Sequence, residues 1–126
     1  MGTASTLYDL ASRRFLVLEP DWTVGRVLDL LVSLEPEYAL LPVQDDEEME
    51  SPSFYGATEV ELELRLARRP EDVVLRQIPD LIRNLDLLPP CDAYLPIHRA
   101  PEYCLVVDDG EVIGIWDAHR NLGPWR

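Results

Sequence analysis

Cys91, Cys104, His98 and His119 are the side chains of this sequence best suited to nucleophilic or metal chemistry. Zinc takes such ligands when they are grouped as C-x₂-C or H-x₃-H, so that neighbouring turns can close a tetrahedron. These four follow no such spacing, and no metal site is expected. Cys104 lies in an apolar run, where a thiol behaves as a small buried hydrophobe. In a chain read as cytoplasmic the two cysteines need no disulfide. His119 can pair with Asp117 on a turn, but such pairs are more often surface contacts than catalytic dyads. Asp45, Asp46, Glu47, Glu48 and Glu50 are hard oxygen donors of the kind calcium takes. They lack the alternating ligands and central glycine of an EF-hand loop, so this stretch reads as a solvated excursion. The sequence contains no Gly-x-Ser-x-Gly elbow, no His-Glu-x-x-His, no P-loop and no Rossmann glycine set. Neither a catalytic residue nor a cofactor is expected.

Charge narrows the partners. The chain has 24 acidic residues against 11 basic ones, all arginine, for a formal net charge of −13. Nucleic-acid affinity rests on neutralising phosphates with cations, so a nucleic-acid partner is not expected. An acidic mimic of nucleic acid is a weaker reading, because the carboxylates are spread along the chain with one cluster at 45–50. The apolar share of 47% is enough to bury a core. Apolar runs are only a few residues long, so no membrane span is expected. Asp9, Arg13 and Arg14 interrupt the start, which does not read as a secretory signal.

A few short elements must position these residues. The apolar runs 103–107 and 111–116 are joined through Asp108-Asp109-Gly110, and Asp-Gly is a strong hairpin signal because glycine accepts the positive φ of a tight turn. A looser version occurs earlier, with 38–43 and 54–57 flanking the acidic loop. The apolar run 15–18, stopped by Glu19-Pro20, reads as a strand. Val24, Val27, Leu28, Leu31 and Leu34 form one helical stripe, which Asp21 or Thr23 can cap and Pro36 ends. In 58–69, Val60, Leu62, Leu64 and Leu66 alternate as in a strand. Strong helix formers and a Thr58-x-x-Glu61 capping box argue the other way, and a helix is expected. Residues 71–82 suit an amphipathic helix that Pro79 kinks or splits. Residues 85–88 form a short apolar run, 91–101 read as irregular, the chain from Asp117 on reads as a short tail leaving the hairpin, and Leu28 and Val106 are expected in the core.

Several of these pieces look like landmarks of the cystathionine-β-synthase (CBS) domain. Glu19-Pro20-Asp21-Trp22-Thr23-Val24 resembles the P-D-x-T-V approach to that family's first helix, and Leu41-Pro42-Val43 its second strand. Phe54-Tyr55-Gly56-Ala57-Thr58 resembles the third strand and its exit. The stretch from Tyr103 to Gly114 is similar to the V-V-D-x-D-G-x-V-V-G hairpin. The resemblance implies an α/β (α+β) fold, a CBS-like βαββα repeat with the second copy truncated, in a single compact domain. Its parts would be a flexible start (1–12), a first motif (13–70), a second, degenerate motif (71–120) and a tail (121–126). The family often binds adenine nucleotides in the cleft between two copies, its ribose contact coming from a Thr or Ser and an Asp three residues on. The matching positions are Thr58 and Glu61 in the first copy, and Asp117 and Arg120 in the second.

Two functions are therefore carried forward. One is a non-catalytic regulatory module that self-associates as a homodimer or binds a partner protein, with Trp22, Trp116 and Trp125 as aromatic contact candidates. Trp116, which ends a strand, reads equally well as core. The other is a sensor of adenine nucleotides or related ligands.

Overall fold

The computed structural model describes residues 5–43, 54–83 and 85–121. In chain order its elements are α1 (Leu7–Leu10), β1 (Phe15–Val17), α2 (Val24–Leu34), β2 (Tyr38–Pro42), β3 (Phe54–Thr58), α3 (Glu59–Leu66), α4 (Pro79–Arg83), β4 (Asp86–Leu88), β5 (Pro90–Asp92), β6 (Tyr103–Asp108), β7 (Glu111–Asp117) and α5 (Ala118–Asn121). Two 3₁₀ turns, Leu75–Gln77 and Ile97–Arg99, complete the set. The described residues group into two compact units, one of 14–43 with 54–87 and one of 5–13 with 88–121. The acidic loop with its weighed calcium donors, and Trp125, lie outside the described residues.

In the first unit the strands run in the order β1-β2-β3-β4, with β1 parallel and β3 antiparallel to β2. Helix α2 begins at Thr23, whose hydroxyl accepts the Arg26 N–H at 3.2 Å. It ends at Glu35, which takes the left-handed conformation at φ 48° while the Arg14 guanidinium donates to its carbonyl. Val24, Val27 and Leu31 are buried. The expected stripe is wider than the buried one: Leu28 lies on its flank and is only half-buried, and Leu34, the last helical residue, is exposed. The stretch 58–69 is helical over α3, and its alternating pattern has a physical outcome. Residues two apart on a helix face opposite ways, so Leu62 and Leu66 fill the core while Val60 and Leu64 face outward. Pro79 splits the following segment into the Leu75–Gln77 turn and α4, which it opens.

The second unit is built on the order β5-β6-β7, with β5 parallel and β7 antiparallel to β6. Asp109 and Gly110 both have positive φ (53° and 81°), as a two-residue hairpin turn of the favoured hand requires. A bulge follows, since Val106 pairs with Gly114 and Val107 with Val112. The core gathers Leu7, Ala93, Cys104, Val106 and Trp116. Two expectations are corrected here. The 91–101 stretch contains the last two residues of β5 and a 3₁₀ turn, because pairing with β6, a long-range contact, organises its start. Chain beyond Asp117 starts with α5 rather than leaving as a tail.

Each unit is completed by a segment from elsewhere in the chain, and the two completions match bond for bond. In the first, Thr23 bridges Val74, the Leu75 N–H donates to the Trp22 carbonyl and the Val24 N–H to the Val73 carbonyl. In the second, Thr6 bridges Pro96, Leu7 N–H donates to Leu95 carbonyl and Ile97 N–H to Ser5 carbonyl. Leu75 and Leu7 are both fully buried. Residues 71–87, read from sequence with the second motif, thus lie with the first unit, and 5–10 are its counterpart in the second.

Candidate functional site

Thr58 and Glu61 come together at the start of α3. Thr58 closes β3 opposite Tyr38, and its hydroxyl accepts the Glu61 N–H at 3.2 Å. The Glu61 carboxylate turns toward Arg65, with Oε2 3.4 Å from Nη2. Among the first N–H groups of α3, that of Glu59 donates to the Glu37 carbonyl at 3.0 Å. Two of the donors a phosphate would use are therefore engaged. Glu59 and Glu61 place negative charge in the same turn, which suits the helix dipole and disfavours an anionic ligand. The Thr58 hydroxyl retains its hydrogen as a donor.

Asp117 occupies the matching place in the second unit, closing β7 opposite Tyr103. Its Oδ1 accepts the His119 N–H at 3.1 Å, and the Ala118 N–H donates to the Glu102 carbonyl at 2.8 Å. His119 Nε2 stands 3.7 Å from Glu102 Oε2. Asp117 and His119 are thus joined through a backbone cap. Arg120 follows on the exposed side of α5. The pairs Thr58/Glu61 and Asp117/Arg120 belong to separate units.

A signal for both sites stands in the sequence and was missed: Pro36-Glu37-Tyr38 is repeated as Pro101-Glu102-Tyr103. In each copy the Glu carbonyl receives the first N–H of the helix after the hairpin, and the Tyr faces the capping residue across the sheet. Between Pro96 and Pro101 only four residues are left, which is why the second copy has a 3₁₀ turn where the first has α2.

The tryptophans separate. Trp22 is half-buried against the first core, with the Arg26 guanidinium 4.9 Å from its ring centroid. It lines a shallow depression of about 710 Å³ with Asp21, Thr23, Arg26, Asp29 and Leu30. Trp116 is 1% exposed and belongs to the core, so its reading as a contact residue is withdrawn. Among the described residues no group of three or more His, Cys, Asp and Glu side chains is placed to hold a metal ion. Burial, reinforced by the neighbouring Cys91 thiol, pushes the Cys104 thiol well above its ordinary range. No helix among the described residues is long and apolar enough to cross a membrane.

Comparison of sequences finds no family model and no curated protein that matches. Comparison of structures does find similar folds. A CBS-domain protein from Pyrobaculum aerophilum complexed with AMP is similar over 97% of this chain and 93% of its own, with a TM-score of 0.61 and 20% identity. The CBS-pair protein CBSX2 from Arabidopsis thaliana matches over 95% and 93%, with a TM-score of 0.58 and 16% identity. A hexameric CBS-CP12 protein from bloom-forming cyanobacteria matches over 98% of this chain and 69% of its own, with a TM-score of 0.64 and 12% identity. The chain has the fold of a CBS-domain pair.

Proposed function

We propose that this chain is a non-catalytic regulatory module that self-associates through the outward face of α3. One observation carries the reading. Val60 and Leu64, one turn apart, are 60% and 72% exposed on a helix whose other apolar face already fills the core. Val32 of α2, in the same unit, is exposed as well. A second copy is the occupant that the charges favour. The segment carries Glu59, Glu61 and Glu63 at its start and Arg65, Arg68 and Arg69 at its end. Two copies packed antiparallel about a two-fold axis would set each acidic end against the other's basic end while burying the apolar stripe. The hexameric state of the CBS-CP12 neighbour adds support.

Nucleotide sensing is the second reading, favoured by the AMP complex of a structural neighbour. Against it stand the engaged donors and the two carboxylates in the first turn of α3. Sedimentation velocity over a concentration series, on the parent and on Leu64→Glu, tests the proposal: the parent should dimerise and the variant remain monomeric with an unchanged circular dichroism spectrum. A parent that stays monomeric at high concentration would overturn it. Calorimetry with AMP, ADP, ATP and S-adenosylmethionine separates the readings, since micromolar binding abolished by Thr58→Val would favour the sensor.

A further inference from the structure

The internal repeat shows what the fold itself needs at each equivalent position, and one surface departs from it. Matching Thr23 with Pro96 and Val74 with Thr6 makes Asp21 the counterpart of Tyr94, and Arg76 the counterpart of Tyr8. In the first unit this place holds an exposed ion pair, Arg76 Nη1 to Asp21 Oδ1 at 2.8 Å. In the second it holds two tyrosines stacked with centroids 5.6 Å apart and planes 12° from parallel. Both are exposed, Tyr8 by 42% and Tyr94 by 58%. A surface ion pair suffices structurally there, so the aromatic pair is an addition the fold does not require.

The platform is preorganised and acidic. Tyr94 is held at both ends: its N–H donates to Asp92 Oδ1 at 2.8 Å and its hydroxyl to Asp108 Oδ2 at 3.2 Å. Those carboxylates put negative charge at the ring edge and backbone. The Asp108 charge raises the Tyr94 pKa above the ordinary value. A guanidinium already rests on this surface, with Arg13 Cζ 4.6 Å from the Tyr8 centroid and its Nη2 donating to the Tyr8 carbonyl. Asp108 ends β6 and Asp117 ends its antiparallel neighbour β7, so the platform lies at the opposite end of the hairpin from the Asp117 cap.

We propose that the Tyr8–Tyr94 platform, flanked by Asp92 and Asp108, binds an arginine side chain of a basic protein segment. A planar guanidinium stacks on a tyrosine face and meets a carboxylate at its edge, which the compact ammonium of lysine does less well. The chain's net charge of −13 steers a basic segment toward it. This binding is independent of self-association through α3.

Fluorescence anisotropy tests it, titrating the full chain into a labelled Arg-Gly-Gly repeat peptide and into the same peptide with lysine at every arginine. Saturable binding with preference for arginine is expected. Tyr94→Ala should weaken the arginine peptide about three- to five-fold and erase the preference. Tyr94→Phe, which keeps the ring, should retain it. Asp108→Asn should weaken binding more than Glu19→Gln, an equal loss of charge at an exposed position of the first unit. Circular dichroism of each variant checks folding. Absence of saturable binding, equal affinity of Tyr94→Ala and parent, or equal effects of Asp108→Asn and Glu19→Gln would each overturn the proposal.

Discussion

Gly114→Ala is the perturbation that most directly probes how the second unit is closed. Gly114 lies in β7 opposite Val106, and Ser12 bridges its neighbour Ile115. An added Cβ would stand 2.8 Å from the Ser12 carbonyl oxygen and 3.1 Å from Ala11 Cβ. The first is a backbone atom that no rotamer change can remove. Ser12 is held in place by two bonds, its N–H to the Ile115 carbonyl and the Ile115 N–H to its own carbonyl, each 2.9 Å. Relieving the clash means shifting Ser12 and straining both. Overpacking of a tight site costs about 1–3 kcal/mol, and weakening two hydrogen bonds adds roughly 1 kcal/mol. The expected loss is about 2–4 kcal/mol, a large part of a total stability on the order of 5–15 kcal/mol. Urea denaturation followed by tryptophan fluorescence measures it, with buried Trp116 beside the altered residue. Gly25→Ala is the control. Its Cβ meets Glu71 Cβ at 3.2 Å and the Glu71 carbonyl at 3.3 Å, a milder contact, and it gains roughly 1 kcal/mol of helix propensity. It should be close to neutral. A Gly114→Ala protein within about 0.5 kcal/mol of the parent would refute the close approach of the N-terminal segment to β7, taking typical surface-substitution scatter as the yardstick.

Val106→Ala should cost about 2–3 kcal/mol by equilibrium denaturation, whereas half-buried Leu28→Ala should cost about 1–2 kcal/mol; the reverse order would contradict the observed helix face. The Cys104 thiol, held protonated by burial, should react with thiol reagents at pH 8 only in denaturant, and rapid labelling of the native protein would show it is reachable. Tyr94 should form its phenolate at higher pH than an ordinary tyrosine. Asp108→Asn, by removing the negative charge that opposes ionisation, should lower the midpoint followed by NMR of the ring, and no change would refute that contact.

Much of the site was legible because it is local. The Thr58-x-x-Glu61 spacing places a hydroxyl and an N–H one turn apart, and the structure shows that bond. Only half of the capping box forms, since the Glu61 carboxylate turns to Arg65 instead. The repeated Pro-Glu-Tyr was equally readable and went unread. The Tyr8–Tyr94 stack was not readable, because the two rings are brought together by a bridge between residues far apart in the chain.

The sequence by itself determined the local elements. The stripe at 24–34, the Asp-Gly hairpin and the helix over α3 all follow from side-chain period, capping hydroxyls and the φ that glycine accepts, forces acting within a few residues. Tertiary structure alone decided which segments complete each unit. Residues 5–10 carry a Thr6-x-x-Asp9 cap but only one turn of helix, and Leu7 is buried in a cluster with Ala93, Cys104, Val106 and Trp116, residues far along the chain. The three-residue strand β5 likewise exists only through its pairing with β6. Such pieces are too short for propensity to hold. Their conformation comes from long-range burial and hydrogen bonding, which periodicity along the chain does not record.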